Sequence, residues 1–287
     1  MPVETPEPAA EKSSNECVLR FEDVSLSFDQ VKALEGLSFE MQAGETRIVL
    51  GAAGSGKTTL LKAALGLIKP DSGRIFLFGQ DITNMSEQDL FPIRARVGVL
   101  FQEGGLFDSL TVEDNVSYPL ENRTAKPNSS DARPVAERVL EALRFVELET
   151  TLSKLPDELS GGMRRRVGIA RAVVTEPPLV LYDSPTAGLD PITANTIMTL
   201  VAKERDTQNT ANVIVTHRYQ DGQLMANFRY NPHCGQLELL SRDPSQHPSS
   251  EARTVFMVMN EGKLVFEGDQ SALESSGDDY VKKFVRR

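Results

Sequence analysis

Cysteine is nearly missing from the 287-residue sequence: Cys17 and Cys234 are the only two. They form no CxxC pattern, so neither a disulfide framework nor a cysteine-rich zinc site organises the chain, and a reducing compartment is expected. No apolar run approaches the ~18 residues that a membrane span needs. The first residues carry no signal-peptide apolar core. The chain is therefore expected to be soluble by itself and to touch a membrane only through a partner. Positive charge is also short. Against 41 Asp and Glu stand 31 Lys and Arg, a formal charge of −10, which argues against a nucleic-acid-binding surface. The length suffices for one large domain or a core plus a subdomain.

What is present centres on Gly51-Ala-Ala-Gly54-Ser55-Gly56-Lys57-Thr58-Thr59. An apolar run, Glu45 to Leu50, reads as a short buried strand before it, and Leu60 to Ile68 reads as a helix after it. Strand, Gly-rich turn and helix is the context a phosphate-binding loop needs. Glycines let successive backbone N–H groups face one concavity, and the helix adds its positive end. Lys57 would reach the β and γ phosphates of ATP, and the Thr58 hydroxyl would sit on Mg²⁺.

Residues 1–16 are rich in Pro, Glu and Ser and read as a disordered tail. From Cys17, VLRFEDVSLSF and VKALEGLSFEM alternate as antiparallel strands. Phe28, ending the first, is either core or a stacking platform for an adenine ring. RIFLFG is a further strand after the turn at 70–73, and residues 81–94 read as polar and partly helical. Arg96 to Gln102 is a short apolar strand ending on an amide. Gln102 is a strand-end cap, a Mg²⁺ ligand or a group that orients water. Residues 122–134 are polar and turn-rich, and Val135 to Leu148 has helical apolar spacing. The span from about 82 to 165 thus reads as a helical insert in an α/β core.

Leu159-Ser160-Gly161-Gly162-Met163 leads into a helix with a basic face, Arg164-Arg165-Arg166 and Arg171. A Ser N-cap, two glycines and a helix N-terminus make a second anion-binding device. It lies too far along the chain to join the first loop, so its use is to hold a nucleotide bound to another subunit. Leu179 to Asp183 is a strand whose terminal carboxylate would hold Mg²⁺ through water. Ser184 follows, where attack by water on ATP calls for a carboxylate. Asp190, before Pro191, either braces the subunit contact or caps the next helix, which spans 192–203. Asn212 to Thr216 is another buried strand, and His217 at its C-terminal end is placed for a γ-phosphate contact or for holding water. Residues 231–252 form a polar, turn-rich stretch. Its His233, Cys234 and His247 lack a structural zinc spacing. Residues 254–259 and 263–267 read as a hairpin, and 278–287 as a short helix ending in basic residues.

In this order, GAAGSGKTT, Gln102, LSGGM, LVLYD, AGLD and His217 resemble the ATP-binding subunit of an ABC transporter over residues 17–287. The resemblance implies a P-loop NTPase (RecA-like) core with an antiparallel β subdomain and a helical insert. It divides the chain into a tail at 1–16, an ATPase domain at 17–270 and a C-terminal helical extension at 271–287. It assigns Phe28 to adenine, Gly51, Gly54, Ser55, Gly56, Lys57, Thr58 and Thr59 to the phosphates, and Thr58, Gln102 and Asp183 to the metal. Ser160, Gly161, Gly162 and Asp190 would close on the partner's ATP in a head-to-tail homodimer, with Gln102, Ser184 and His217 around the reacting water.

QEGGLFDSLTVEDNVSYPL (102–120), LSGGMRRR with Met163, AGLDPIT and DYVKKFV (279–285) look most like the MlaF/Ttg2A type of phospholipid transporters. That type implies an MlaE-like permease, an MCE-domain protein and a place on the cytoplasmic face of a bacterial inner membrane. An importer for a metal, an amino acid or another solute shares the frame. So does an ATP-binding switch with little turnover, because Ser184 stands where the family has its catalytic glutamate; Glu103 is one substitute. A ribosome or DNA-repair ATPase fits poorly, since there is one cassette, no long coiled coil and an acidic balance.

Overall fold

A computed structural model describes residues 16–122, 133–240 and 254–285, with Glu103 described by its backbone alone. The expected tail up to residue 15, most of the polar loop at 122–134, the later half of the 231–252 stretch with His247, and the last two residues lie outside the described residues.

The period-2 pattern after Cys17 becomes β1 (Cys17–Phe28) and β2 (Val31–Gln42), an antiparallel pair in which Phe28 faces Val31. β4 (Ser72–Leu77) and the short β5 (Gln80–Asp81) complete a sheet of order β2-β1-β4-β5. One face is apolar, with Leu19, Phe21, Leu26, Leu34 and Leu37 buried; the other faces solvent, as antiparallel sheets allow.

Unbroken apolar runs give a different sheet. β3 (Thr46–Gly51), β7 (Leu179–Asp183) and β8 (Ala211–Thr216) are buried at every residue. This two-sided burial is the mark of a parallel sheet covered on both faces. With β6 (Val97–Leu100), β11 (Thr254–Asn260) and β12 (Lys263–Gly268) the order is β12-β11-β3-β8-β7-β6, parallel except for β12. The expected 254–267 hairpin forms. Its first strand also runs parallel to β3, with Met259 beside Gly51, so its turn sits against the Gly-rich loop.

Helices follow these strands: α1 (Lys57–Ala64), α2 (Glu87–Arg94), α3 (Val112–Glu121), α4 (Val135–Phe145), α5 (Gly161–Val173), α6 (Pro191–Gln208), α7 (Tyr219–Asn227), α8 (Gln270–Glu274) and α9 (Asp279–Val285). α3, α4 and α5 pack on one another through Val116, Val139, Leu143 and Val167, while β6 belongs to the edge of the core sheet. No helix among the described residues is long and apolar enough to cross a membrane.

The start of the 231–252 stretch is ordered into a hairpin with the residues just before it, β9 (Phe228–Asn231) and β10 (Gln236–Leu239). α6 holds it down. The buried Arg205 guanidinium donates to the Met225 and Phe228 carbonyls and pairs with Asp206. Asp206 in turn accepts from the Tyr230 N–H.

Candidate nucleotide site

Because β8 lies between β3 and β7, the C-terminal ends of β3, β8, β7 and β6 stand side by side. α/β sheets carry their ligands on this edge. At the end of β3 the chain turns through Ala52 to Gly56 into α1. Gly56 has φ 100°, and a Cβ there would run into the Ala33 carbonyl; at Gly51 a Cβ would stand 2.7 Å from the Met259 carbonyl oxygen. Both glycines are therefore required by close approach of backbone. Gly54 has open space around it and is fixed by its φ of 79°. The turn leaves Ala52, Ala53 and Gly54 exposed at the mouth of α1, with Ser55 buried beneath.

Lys57 folds back over this loop, its Nζ donating to the carbonyls of Gly51 (2.9 Å) and Ala52 (2.7 Å) and to Ser55 Oγ (3.2 Å). Burial pulls its pKa below the ordinary lysine value, against the opposing attraction of Asp183. Thr58 Oγ1 donates to Asp183 Oδ2 at 3.1 Å. A hydroxyl and a buried carboxylate at this separation are a hard-oxygen pair suited to Mg²⁺ with waters in the remaining positions. With ammonium, hydroxyl, carboxylate and exposed loop N–H groups on one edge, the donor set fits a magnesium nucleotide. Thr59 follows on α1, half-buried.

Ser184 has φ 52°, the left-handed region. Its N–H donates to the Val215 carbonyl at 2.9 Å, and its hydroxyl turns back to Asp183 Oδ1 at 3.2 Å. The side chain is thus engaged with Asp183, and no carboxylate stands at this position. Gln102 opens a single 3₁₀ turn two residues beyond β6, and His217 follows directly on β8; both are exposed on the same edge. Phe28 is 48% exposed at the end of β1.

Ser160, Gly161, Gly162 and Asp190 lie elsewhere. Ser160 caps α5 by accepting from the Met163 N–H. Asp190 caps α6 by accepting from the Ile192 and Thr193 N–H groups at 3.0 Å. The Thr193 hydroxyl first, then those N–H groups, hold the Asp190 carboxyl below the usual range. The two helix N-termini border one open groove of about 600 Å³, lined among others by Ser160, Gly161, Gly162, Gly188 and Asp190. Two positive helix ends around a Gly-lined groove suit a polyanion.

The arginines of α5 do not form the basic face that the sequence suggests. Arg165 is buried and donates to the Ala187 carbonyl, Arg166 to Val146, Arg164 to Leu159, and Arg171 to Gly104 and Gly105. They fasten loops to the helix because carbonyls left over at loop ends need donors.

Sequence reading also missed Asp221. It is buried, and its Oδ2 accepts from both Thr186 Oγ1 (2.6 Å) and Thr216 Oγ1 (2.7 Å). Burial lifts its carboxyl above the ordinary value, and the two hydroxyls and Arg218 pull it back. The only local signal is a carboxylate in the first turn of α7.

Comparison with known proteins agrees with this layout. A family model described as ABC transporter matches residues 34–187. The intermembrane phospholipid transport system ATP-binding protein MlaF of Haemophilus influenzae is 35% identical over 68% of this chain and 73% of its own length. A probable ribonucleotide transport ATP-binding protein of Mycobacterium leprae, mkl, is 38% identical over 67% of this chain. The methionine import ATP-binding protein MetN of Carboxydothermus hydrogenoformans is 39% identical over 66%. The match spans only 54% of each of these last two relatives. Among solved structures, a dimeric ATP-binding cassette in a post-hydrolysis state bound to ADP and Pi superposes with a TM-score of 0.70 at 26% identity, covering 88% of this chain and 98% of that one. A Clostridium perfringens subunit of the cbiONQ ABC transporter complex gives 0.71 at 27%, covering 94% and 93%.

Proposed function

Since the chain belongs to the ABC transporter family as a RecA-like ATPase domain, we propose that two copies bind ATP between them and hydrolyse it to drive a membrane transporter. The observation that carries this reading is the division of the site. Lys57, Thr58 and Asp183 converge on one sheet edge, while Ser160, Gly162 and Asp190 line a separate groove. Head-to-tail pairing would bring the groove of one copy over the phosphate loop of the other.

In that dimer Lys57 would leave the Gly51 and Ala52 carbonyls for the phosphates, and Thr58 and Asp183 would hold the metal. Magnesium supplies neutralisation of the charge on the β and γ oxygens. Phe28 would stack on the adenine, and Gln102 and His217 would orient water at the γ end. Turnover is slow in this reading. Ser184 cannot accept a proton from water at neutral pH without its own base. Asp190 and Asp221 are occupied by helix capping and by two threonines. The side chain of Glu103 lies outside the described residues.

The cargo we propose is phospholipid or a related hydrophobic substrate moved between bacterial membranes, through an MlaE-like permease and an MCE-domain protein. The segments 102–120 and 159–166 and the likeness to the Haemophilus protein support it. The ribonucleotide and methionine relatives share the same ATPase frame, so the membrane partner is the discriminating test. An MlaE-like subunit recovered with the tagged chain supports lipid transport; a solute-importer permease overturns it. Phosphate release by the assembled complex, lost in Lys57→Ala, supports turnover. Release no higher than background in the wild type overturns it in favour of the second reading, an ATP-binding switch, which the Ser184 geometry alone favours.

A further inference from the structure

The C-terminal helix α9 reaches the phosphate loop. Asp278 starts it, with its Oδ1 accepting from the Tyr280 and Val281 N–H groups. Val281 and Phe284 anchor it in the main core, and Tyr280 packs edge-on against Phe284. The half-buried Tyr280 ring then carries its hydroxyl to two backbone groups. It donates to the Met259 carbonyl at 3.2 Å and accepts from the Ala52 N–H at 3.3 Å. Met259 is the residue beside Gly51 in the parallel ladder, so one hydroxyl ties the loop to the end of β11.

We propose that Tyr280 is a positioning residue for nucleotide binding, holding Ala52, and through it the phosphate loop, in its binding shape. The need arises from Lys57. Before nucleotide enters, Lys57 braces the loop through the Gly51 and Ala52 carbonyls. With all three of its N–H donors engaged, it must give up at least one of these bonds to reach phosphate, and residue 52 is then still restrained by the Tyr280 hydroxyl on its N–H and by the Ser55 N–H on its carbonyl. Two further bonds hold the loop's far side: the Ser55 carbonyl accepts from the Gly262 N–H, and the Gly262 carbonyl from the Glu35 N–H. Ala52 joins that brace only through its carbonyl, which accepts from the Ser55 N–H at 3.2 Å, and its N–H is held by Tyr280. Tyr280 acts by backbone shape and touches no nucleotide atom. It therefore alters affinity and leaves the chemical step alone.

This inference rests on the nucleotide site proposed above. It is tested on the full chain with a non-hydrolysable ATP analogue and Mg²⁺, measuring affinity and the Tm of the nucleotide-free protein. Tyr280→Phe deletes the hydroxyl and keeps the ring. The expected result is binding weaker by about 3–10-fold, the range set by one neutral hydrogen bond, with an unchanged Tm. Where hydrolysis is measurable, KM rises by the same factor and kcat stays constant. Wild-type affinity in Tyr280→Phe, with loss confined to Tyr280→Ala, would show a packing role and overturn the proposal. An affinity loss in Tyr280→Phe that tracks a falling Tm overturns it equally. Failure of the wild type itself to bind the analogue would instead overturn the nucleotide site.

Discussion

The phosphate loop and the α5–α6 groove, the two proposed anion sites, are both made from glycines and helix N-termini, yet they are finished to different degrees. The loop is closed on itself. Its lysine rests on its own carbonyls, its Thr58 hydroxyl on Asp183, and two of its glycines are pinned by neighbouring backbone. The groove has satisfied caps but open walls, with Ile192 at its rim 80% exposed. In the proposed dimer the loop, complete in one chain, would bind by itself, whereas the groove with its bare wall would need the second copy. The difference separates binding from turnover.

Lys57→Ala should erase the contrast from the binding side. Removing the ammonium that rests on the loop's own carbonyls is expected to lower kcat/KM by ~10²-fold or more and to abolish analogue binding in titration calorimetry. Ser184→Glu tests the chemistry and should leave binding alone. A carboxylate beside Asp183 is expected to raise phosphate release by ~10–10²-fold, and an unchanged rate would place the limiting step elsewhere. Gly162→Ala strikes the groove alone. Its Cβ would stand 2.7 Å from Thr193 Cγ2, displacing the α5 start from the α6 start. Analogue binding should stay within about twofold, while phosphate release by the dimer falls ~10-fold, as a misplacement of this kind produces.

Glu204→Gln is the variant that should disturb neither half. Burial pushes the Glu204 carboxyl up to about 7, more than Thr210, Asn212 and Arg205 pull it down. Between its ordinary value of 4.5 and about 7 the folded chain holds a proton that the unfolded chain has released. Stability therefore falls as pH rises through that window and stays lower above it. Thermal melts should show the wild type losing up to about 3 kcal/mol on this account. The Gln variant should melt higher at pH 8 and bind nucleotide as before.

How much of this was legible in the sequence depended on distance along the chain. The loop from Gly51 to Thr59 could be read because strand, turn and helix are consecutive, and Asp183 because it ends an unbroken apolar run. Ser160 could be read as a cap from one residue before two glycines. The α5 arginines could not be read. Their partners, such as the Ala187 carbonyl for Arg165, are set by tertiary packing, and a triple arginine looks the same whether solvated or stapling a loop. The β9–β10 hairpin was hidden for a similar reason. Its strands are four residues each, and what orders them is Arg205 on a helix twenty residues earlier. Asp221, one carboxylate in a first helical turn, and Tyr280, one ring within DYVKKFV, have no local sign of their partners; each role is recognisable only by what the fold brings to it.

Asp221 has a mechanical consequence. One carboxylate oxygen is shared by a hydroxyl from the segment between Ser184 and Asp190 and by a hydroxyl from the residue just before His217. Sliding either segment alone would strand a buried hydroxyl or half of a buried carboxylate, a penalty of about 1–3 kcal/mol. The two segments therefore move as one lever. Its one arm carries His217 at the phosphate edge, and its other leads through Gly188 to Asp190 at the groove. In the proposed dimer, a shift at one copy's own nucleotide would thereby be felt at the surface offered to the other copy's nucleotide, and the pair would keep time as a single two-stroke device.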